Sequence, residues 1–382
     1  MILNRLRSKY RKMTVPLPVN QYIVHISSYF PPHLGGMEKV VEKLAIMQAK
    51  SGLNVRVITS NIGAVQHSKN NLISVRRLRS FEIAHTPIMP SLLRTLLTCP
   101  SRSIFHVHVS QAGVPEVALL AAKIKRCKII MHIHGDIGPS GTVGILLPFY
   151  KKFFLGFALR HADSVVVPTD AMKEIIVNMY KLKNRLYVVS AGVVKEFFVE
   201  KKSYSTTPKR IRLLYTGRLS IEKNVKLLIE AVDLLTNPAE FTIVGDGSLK
   251  ADIEKQISLM RNNDHVVKLV GLKSQKELIE YYRRADIVLI ASDYESQSLV
   301  ALEAMASTAP IIFAPLPAVK YIVGDGGVQV DRTPEAFAKA ITELMDDEDN
   351  RARLGKQGQL RARQFTWENT VEEFKKIYLE LC

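Results

Sequence analysis

Short apolar runs alternate with helix-period stretches along most of the chain. In the first half the apolar runs predict strands at residues 22–26, 55–59, 104–108, 128–132, 164–167 and 186–189. In the second half they predict strands at residues 212–215, 240–244, 266–270, 287–290 and 311–313. The stretches between them, such as residues 37–50 and 115–125, have the period of amphipathic helices. This alternation predicts an α/β protein whose parallel sheets are connected by right-handed crossovers.

The chain has 382 residues, more than a single core usually holds, and the pattern predicts two doubly wound, Rossmann-like domains. Residues 201–209 are polar and follow neither period, so they predict a linker. We therefore expect an N-terminal domain at residues 1–200 and a C-terminal domain at residues 210–365. Ligands are expected at the carboxyl ends of the strands, in the cleft between the two domains.

The net charge is distributed unevenly. Residues 1–200 contain 27 Lys and Arg against 10 Asp and Glu, whereas residues 201–382 contain 26 against 26. Such a basic half attracts phospholipid head groups, phosphates, acidic glycans or nucleic acid. Nucleic acid is disfavoured because zinc-finger spacing, an RNP-type aromatic strand and a basic low-complexity tail are all missing from the sequence. The three scattered cysteines indicate a reducing cytoplasm.

Two glutamates, Glu295 and Glu303, lie eight positions apart where a predicted strand leads into a predicted helix. Glu295 falls on the turn and Glu303 in the second helical turn, so both carboxylates are expected to face one pocket. The free N–H groups of the first helical turn favour an anion such as a phosphate. A sugar joined to a nucleotide by a pyrophosphate fits this arrangement, although solvated carboxylates on an acidic loop would show the same spacing.

Two further motifs follow predicted strands. Gly35 and Gly36 would let a ligand approach the backbone at a helix N-terminus, although a plain strand-to-helix turn also favours glycine. Arg218 and Lys223 lie on a loop before a helix. Two cations there could neutralise a diphosphate leaving group without a metal, or they could be ordinary surface charges.

Two other motifs bear on metals and cofactors. His132 and His134 could be zinc ligands, but no third ligand is suitably spaced, and one or both could be core histidines. The sequence from Gly245 to Gly247 resembles a dinucleotide fingerprint that lacks its third glycine, which disfavours a nicotinamide cofactor. We therefore expect neither a metal nor a cofactor.

Four ordered motifs resemble the retaining glycosyltransferases of family 4, which have the GT-B fold. They are Gly217-Arg218-Leu219 with Lys223, Val244-Gly245-Asp246-Gly247, Val270-Gly271-Leu272, and the run from Glu295 to Glu303. The resemblance extends from about Tyr22 to the C-terminus. It implies two Rossmann-like domains that face each other across a cleft. It also implies that residues 366–382 form a last helix that crosses back onto the first domain.

The resemblance also implies roles for individual residues. Arg218 and Lys223 would hold the donor diphosphate, Glu295 the sugar hydroxyls and Glu303 the ribose. The backbone of Gly271 and Leu272 would contact the base, Gly35 and Gly36 would lie on the phosphate and sugar side, and His134 would act at the reacting centre. The expected catalytic residues are Glu295, His134, Arg218 and Lys223. The expected donor-binding residues are Gly35, Gly36, Gly217, Arg218, Lys223, Gly271, Leu272, Glu295, Ser298, Leu299, Val300 and Glu303.

The chain departs from the family pattern at three places. Two are loops that follow predicted strands, and the third is the stretch directly after Glu295. Residues 191–194 read Ala-Gly-Val-Val where the family often has Asn-Gly-Val-Asp. The glycine that usually follows the first motif glutamate is replaced around residues 296–298, and residues 314–320 lack the usual glycines and acidic residue. The identity of the donor sugar and base therefore stays open.

The expected activity is retaining transfer of a hexose-type sugar from a UDP- or GDP-sugar to a lipid, a lipid-linked glycan or another glycan. Two alternatives remain. A sugar-nucleotide epimerase of the same fold would bind the same donor but would need no acceptor. A non-catalytic basic binding protein would use only the charge of the first half.

The N-terminal residues 1–20 form a basic amphipathic leader in this interpretation. Its apolar residues recur at helical spacing among five cations, which are Arg5, Arg7, Lys9, Arg11 and Lys12. This pattern predicts an interfacial helix on the anionic inner face of the cell membrane, although a disordered leader would look similar. An aromatic and cationic cluster supports the membrane hypothesis unless its aromatics belong to the core: Phe149, Tyr150, Lys151, Lys152, Phe153, Phe154 and Phe157.

Overall fold

The computed structural model describes residues 21–33, 35–63, 72–83, 86–135, 147–183, 185–199, 210–262 and 264–382. The chain divides into two compact units. The first comprises Met1–His132, Pro139–Ser164 and Val371–Cys382, and the second comprises Ile133–Gly138 and Val165–Thr370. The predicted leader at residues 1–20 and the predicted linker at residues 201–209 lie outside the described residues.

Up to residue 167 the strands are β1 (Tyr22–Ser27), β2 (Asn54–Ser60), β3 (Ser74–Leu78), β4 (Phe81–Ile83), β5 (Thr86–Ile88), β6 (Ser103–Val109), β7 (Lys128–Ile133) and β8 (Ser164–Val167). The helices are α1 (Gly36–Lys50), α2 (Leu92–Leu97), α3 (Val114–Lys125), α4 (Leu147–Tyr150) and α5 (Gly156–His161). A π-helical segment, Lys151–Leu155, connects α4 to α5.

The remaining strands are β9 (Arg185–Val188), β10 (Ile211–Thr216), β11 (Ala239–Val244), β12 (Val266–Leu269), β13 (Ile287–Ile290), β14 (Ile311–Phe313) and β15 (Gly327–Gln329). The remaining helices are α6 (Asp170–Tyr180), α7 (Val225–Asp233), α8 (Lys250–Ser258), α9 (Gln275–Arg284), α10 (Leu299–Ala306), α11 (Pro317–Val323), α12 (Pro334–Asp346), α13 (Glu348–Ala362) and α14 (Trp367–Leu381). Short 3₁₀ turns occupy Lys195–Phe197 and Ile221–Lys223. No helix in the described ranges is long and apolar enough to cross a membrane.

The first sheet has the strand order β3-β2-β1-β6-β7-β8-β9. The pairs β1–β2, β1–β6 and β2–β3 are parallel, and His25 in β1 is opposite His106 in β6. All seven residues of β6 are buried, as expected for a central strand covered on both faces. The strand prediction overlooked β3, because Arg76 and Arg77 give this edge strand a polar sequence.

The second sheet is parallel and has the order β12-β11-β10-β13-β14-β15. Two apolar cores include residues of its strands: Phe241 belongs to one and Phe313 to the other. The strand order changes direction between β10 and β13, which makes the ends of these two strands the topological switch point. The prediction overlooked β15, a three-residue strand that contains a glycine.

The observed units differ from the predicted division at residue 200, because residues from Val165 onward belong to the second unit. Within that unit the Phe197 ring packs edge-on against Tyr282, with centroids 5.7 Å apart. Gln297 forms two hydrogen bonds of 2.8 Å with the backbone of Ala191. A polar linker in the sequence marks a surface segment, but it does not show which core the preceding residues join. The helix α14 is itself divided, since residues from Val371 onward belong to the first unit.

Candidate active site

Two loops meet at the switch point of the second sheet, one after β10 and one after β13. Asn224 on the first loop donates from Nδ2 to the Ala291 carbonyl at 3.1 Å and to Asp293 Oδ1 at 2.7 Å. The Asp293 N–H donates in return to the Glu222 carbonyl at 2.8 Å. These bonds hold the loops together at the position where doubly wound folds bind their ligands.

Lys223 and Glu295 form an ion pair between these loops. Lys223 Nζ lies 2.7 Å from Glu295 Oε1, and the side chains retain 22% and 15% of their exposure. Ser292 Oγ donates to the same carboxylate oxygen at 3.0 Å. Glu295 Oε2 accepts no hydrogen bond from a described residue. The pair thus fixes one face of the carboxylate and leaves the other oxygen able to accept hydrogen bonds from a ligand.

Arg218 lies on the same loop as Lys223, and its side chain is exposed. It forms no ion pair with any residue in the described part of the chain. Its backbone carbonyl accepts a 2.8 Å hydrogen bond from the Tyr215 hydroxyl. Burial, followed by the nearby Glu295 charge, raises the pKa of Tyr215. Tyr215 therefore remains a neutral donor that anchors the Arg218 loop.

Two glycines after β11 lie directly against the backbone of the Arg218 loop. Gly245 has a φ of +152°, and a Cβ there would lie 1.8 Å from the Gly217 carbonyl oxygen. A Cβ at Gly247 would lie 2.3 Å from the Leu219 carbonyl oxygen. Leu219 N–H donates to the Asp246 carbonyl at 2.9 Å. The sequence suggested an incomplete dinucleotide fingerprint here, whereas these glycines allow two loops to pack backbone against backbone.

Glu303 lies in the second turn of α10, as predicted. The Tyr282 hydroxyl donates to Glu303 Oε2 at 2.9 Å and lies 2.5 Å from Thr216 Oγ1. Because a hydroxyl has one proton, Tyr282 donates to Glu303 and accepts from Thr216. Burial, followed by the Glu303 charge, raises the pKa of Tyr282 well above its ordinary value. The ring therefore fixes Glu303 relative to β10. The sequence did not predict a role for Tyr282, because only the tertiary fold brings α9 close to the Glu303 carboxylate.

The N-terminus of α10 differs from the prediction. We expected free N–H groups in its first turn, but Ser298 Oγ accepts a 3.2 Å hydrogen bond from the Ala301 N–H. Ser298 is thus a buried N-cap, and it satisfies one of the donors that the prediction gave to an anion. Leu299 and Val300 are half-buried.

Gly271 and Leu272 follow β12. Gly271 has a φ of +69°, which favours glycine, and its carbonyl accepts a 3.0 Å hydrogen bond from the Gly245 N–H. Leu272 is 60% exposed. An exposed apolar side chain and a loop backbone are thus present where the resemblance expects the base.

Gly35 and Gly36 begin α1 in the first unit. A Cβ at Gly35 would lie 2.0 Å from the Glu38 carboxylate, whereas a Cβ at Gly36 would meet no atom within 4 Å. Glu38 Oε1 lies 2.9 Å from His33 Nδ1, and His33 stacks on Tyr29 with centroids 4.2 Å apart. The Glu38 carboxylate leaves no room for a side chain at residue 35, which explains the glycine there. The packing around residue 36 does not require a glycine.

His134 is half-buried and belongs to the second unit. A Cβ at the adjacent Gly135 would lie 3.6 Å from the Tyr294 hydroxyl and 3.7 Å from Ser296 Oγ. The turn that carries His134 therefore lies beside the loop that carries Glu295.

His132 is a buried core histidine. Its Nδ1 lies 3.0 Å from His106 Nε2, and its ring lies against Phe374. It belongs to a hydrogen-bonded network in the first unit that the sequence did not reveal. The other members are His25, Gln48, His106, His108 and Tyr378.

Three of these histidines could in principle hold a metal, since ligand atoms of His25, His106 and His108 lie within 4.8 Å of one another. However, both nitrogens of His25 and both of His106 already have hydrogen-bond partners. Burial lowers the pKa of His25 to about 4, so its ring is neutral at neutral pH. The network is therefore a satisfied polar core. The strands β1, β6 and β7 are adjacent and carry His25, His106 and His132. A histidine in each of these three apolar runs was the sequence signal that could have revealed the network.

Comparison with known families identifies the chain. Residues 34–197 match the family model for Glycosyltransferase Family 4, and residues 197–361 match the model for Glycosyl transferases group 1. Together the two matches run from residue 34 to residue 361. The chain belongs to this glycosyltransferase family, and the protein is a glycosyltransferase, as the sequence motifs predicted.

The chain is similar to an uncharacterized glycosyltransferase of Methanocaldococcus jannaschii, with 26% identity over 94% of this chain and 98% of the relative. The structure resembles sucrose-phosphate synthase from Thermosynechococcus elongatus, with a TM-score of 0.76, 20% identity, and coverage of 95% and 99% of the two chains. It also resembles Anabaena HepE, solved with UDP and glucose, with a TM-score of 0.73, 17% identity, and coverage of 93% and 98%. These likenesses confirm the predicted GT-B fold class.

Proposed function

We propose that this glycosyltransferase moves a hexose-type sugar from a UDP- or GDP-sugar to a lipid, a lipid-linked glycan or another glycan, with retention at the anomeric carbon. The observation that carries the proposal is the Lys223–Glu295 pair beside the exposed Arg218 at the switch point. An adjacent carboxylate and two cations suit a ligand that has sugar hydroxyls and a diphosphate. The UDP and glucose bound to the structurally similar HepE support the same donor class.

In this proposal Arg218 and Lys223 bind the diphosphate, and charge-assisted hydrogen bonds stabilise it as it leaves. Glu295 accepts hydrogen bonds from the sugar hydroxyls through the carboxylate face that Lys223 and Ser292 do not occupy. Glu303, fixed by Tyr282, binds the ribose. The backbone of Gly271 and Leu272 contacts the base.

The remaining assigned residues complete the proposed donor site. Gly35 and Gly36 contribute backbone contacts to the phosphate and sugar, and His134 acts at the reacting centre. Gly217, Ser298, Leu299 and Val300 shape the donor-binding loops. No metal or cofactor is required by this proposal, since two cations already oppose the diphosphate.

The proposed chemistry is a front-face displacement. The bond between the anomeric carbon and the diphosphate oxygen breaks, and the acceptor oxygen bonds to the same face of that carbon. The leaving phosphate oxygen takes the acceptor's proton, so no side chain needs to act as a nucleophile. Positive charge develops on the sugar, while Arg218 and Lys223 stabilise the negative charge on the leaving group.

The proposed location is the inner face of the cell membrane, with a role in the synthesis of an envelope glycan or glycolipid. The net charge of +17 supports an anionic surface as a partner. The basic leader at residues 1–20 would contribute up to about 1 kcal/mol of attraction per cation near such a surface. Replacement of its five cations by Glu should release the protein from anionic liposomes and leave UDP binding unchanged. Unaltered flotation and unaltered lipid glycosylation would exclude this role for the leader.

The test of the activity is a panel of nucleotide sugars incubated with lipid and glycan acceptors, with products identified by mass spectrometry. We expect acceptor-dependent transfer, an α- or β-linkage that matches the donor, and nearly unchanged activity in EDTA. Product formed without an acceptor would instead identify an epimerase. If neither UDP nor GDP raised the melting temperature, the alternative of a non-catalytic basic protein would be favoured, because a bound nucleotide stabilises the folded state.

A further inference from the structure

An exposed group of aromatic side chains lies on the first unit, and none of its members is assigned to the donor site. We call it the aromatic ridge, and its members are Phe149, Phe153, Phe154 and Phe157. Their exposed fractions are 58%, 50%, 52% and 52%. The alternative that these rings belong to the core is therefore wrong. Four half-exposed phenylalanines present roughly 400 Å² of aromatic surface, which is large for a patch with no binding role.

Three of the four ridge rings pack together, whereas Phe157 stacks on His161 with centroids 4.0 Å apart. The centroids of Phe149 and Phe153 lie 4.6 Å apart, and those of Phe149 and Phe154 lie 6.2 Å apart. Leu155, Ala158 and Leu159 on the same segment are buried, while its exposed residues include the ridge phenylalanines, Lys152 and Arg160. Exposed aromatic rings beside cations are typical of a helix that lies at a membrane interface.

The π-helical turn contributes to this arrangement. Lys151–Leu155 contains Phe153 and Phe154, and both rings are about half exposed. The wider turn changes the angular spacing of side chains relative to an α-helix. The segment also packs against α3, which exposes Leu120 and Ile124 one turn apart. Apolar side chains are thus exposed on two helical segments that pack against each other.

The charges around the ridge favour an anionic surface. Residues 86–162 contain nine Lys and Arg but only two acidic residues, Glu116 and Asp136. Of these two, only Glu116 lies in the part of the chain that the structure describes. Its carboxylate accepts hydrogen bonds from the Tyr150 hydroxyl at 2.8 Å and from the Gly113 N–H at 2.9 Å. Burial raises the pKa of its carboxyl group, and both of its oxygens accept hydrogen bonds within the protein. Lys152 Nζ lies 5.4 Å from the centroid of the Phe153 ring and flanks the ridge directly.

We propose that the aromatic ridge inserts into the interfacial region of a bilayer that contains anionic phospholipid. Phenylalanine rings enter the boundary between head groups and acyl chains, and the flanking lysines and arginines bind lipid phosphates. A second copy of this chain fits less well, because a symmetric contact would place two cationic surfaces against each other. The inference specifies how the proposed lipid-acceptor function is brought to a membrane, but it rests on residues separate from the donor site.

The test is co-sedimentation of the full chain with vesicles of phosphatidylcholine alone or mixed with phosphatidylglycerol. Wild-type protein should sediment with the anionic vesicles, less so at high salt, because salt screens the attraction. The triple variant Phe153→Ser, Phe154→Ser and Phe157→Ser should bind at least ~10-fold more weakly, the loss of three apolar anchors. The control is Leu234→Ser, Leu259→Ser and Leu360→Ser, which removes three exposed leucines of the second unit and should bind as wild type does.

The outcomes separate the alternatives. Undiminished binding of the triple variant, with its circular dichroism and melting temperature unchanged, would overturn the proposal. Light scattering that showed a wild-type dimer and a monomeric variant, with no vesicle binding by either, would instead identify the ridge as a contact between copies. If the triple variant did not fold, Phe153→Ser alone would be measured by the same assay. Vesicle binding requires no catalysis, so a failed transfer assay would count against the proposed activity and not against the ridge.

Discussion

Lys223 Nζ lies 2.7 Å from Glu295 Oε1, and this bond joins the two loops that leave the switch point of the second sheet. Both side chains are mostly shielded from water, so their attraction is screened less than that of a surface pair. Ser292 and Asn224 reinforce the same junction. A carboxylate held in this way has its position fixed before any ligand arrives, which reduces the conformational entropy that the Glu295 side chain loses when a ligand binds.

Replacement of Glu295 by Gln should reduce turnover by at least ~100-fold while the fold survives, since one electrostatic contact at a reacting centre is often worth that much. The change keeps the side-chain size but removes the charge that pairs with Lys223. Steady-state kinetics at saturating donor measures the effect. Glu240→Gln is the matched control, because Glu240 pairs with Lys268 at the same 2.7 Å on the exposed surface. Wild-type turnover in Glu295→Gln would exclude the assigned role.

Replacement of Arg218 by Ala should also lower kcat/KM by ~100-fold or more, because a cation that opposes the leaving diphosphate acts mainly in the transition state. Its side chain is exposed, so the melting temperature should hardly change. Arg261→Ala, another exposed arginine of the second unit, provides the control. Equal kinetics for the two variants would show that Arg218 is an ordinary surface charge.

Glu303→Gln should mainly raise the donor KM, by roughly 10-fold, because a ribose contact is equally strong in the ground and transition states. Tyr282→Phe should raise KM in the same direction, since it removes the hydroxyl that positions Glu303 at 2.9 Å. A double-mutant cycle of the two changes should be non-additive. If instead kcat fell and KM stayed constant, Glu303 would contribute to the chemical step.

The sequence was sufficient to place the two glutamates, because a buried strand followed by a helical period determines which residues fall on the turn and which on the second helical turn. It was also sufficient for most strands, since their apolar runs are buried on both faces. It could not predict the contacts of Glu303 with Tyr282 or of Gly245 with Gly217. These pairs are 21 and 28 positions apart, and only the packing of separate elements brings them together. Strands β3, β4, β5 and β15 were overlooked, because β3 contains two arginines and each of the other three is only three residues long.

Gly245→Ala should destabilise the protein by at least about 2 kcal/mol or prevent folding, because it combines a positive φ with a clash against backbone. The Cβ would lie 1.8 Å from the Gly217 carbonyl oxygen, which cannot rotate away as a side chain would. Urea unfolding measures the change. Gly36→Ala is the control for stability, since its Cβ would meet no atom within 4 Å and alanine favours a helix. Equal unfolding midpoints for the two variants would contradict the assigned role of Gly245.

The buried histidine network should make the protein less stable as the pH falls below neutrality. Burial lowers the pKa of His25 from 6.5 to about 4, whereas the unfolded chain retains the ordinary value. Between these two values the unfolded state binds a proton that the folded state does not, so the free energy of unfolding decreases as the pH decreases. The decrease is about 1.4 kcal/mol per pH unit below 6.5 and ends near pH 4, at a total on the order of 3 kcal/mol.

Urea unfolding between about pH 7 and pH 5 tests this prediction, because most carboxylates are still ionised in that interval. The variant His25→Asn should show a shallower dependence of the free energy of unfolding on pH than the wild type. Nuclear magnetic resonance of the wild-type imidazoles provides a check that does not depend on the stability of a variant. The His25 ring should remain neutral at pH 5 in the folded protein, and a ring that titrated near pH 6.5 would contradict the buried, uncharged network.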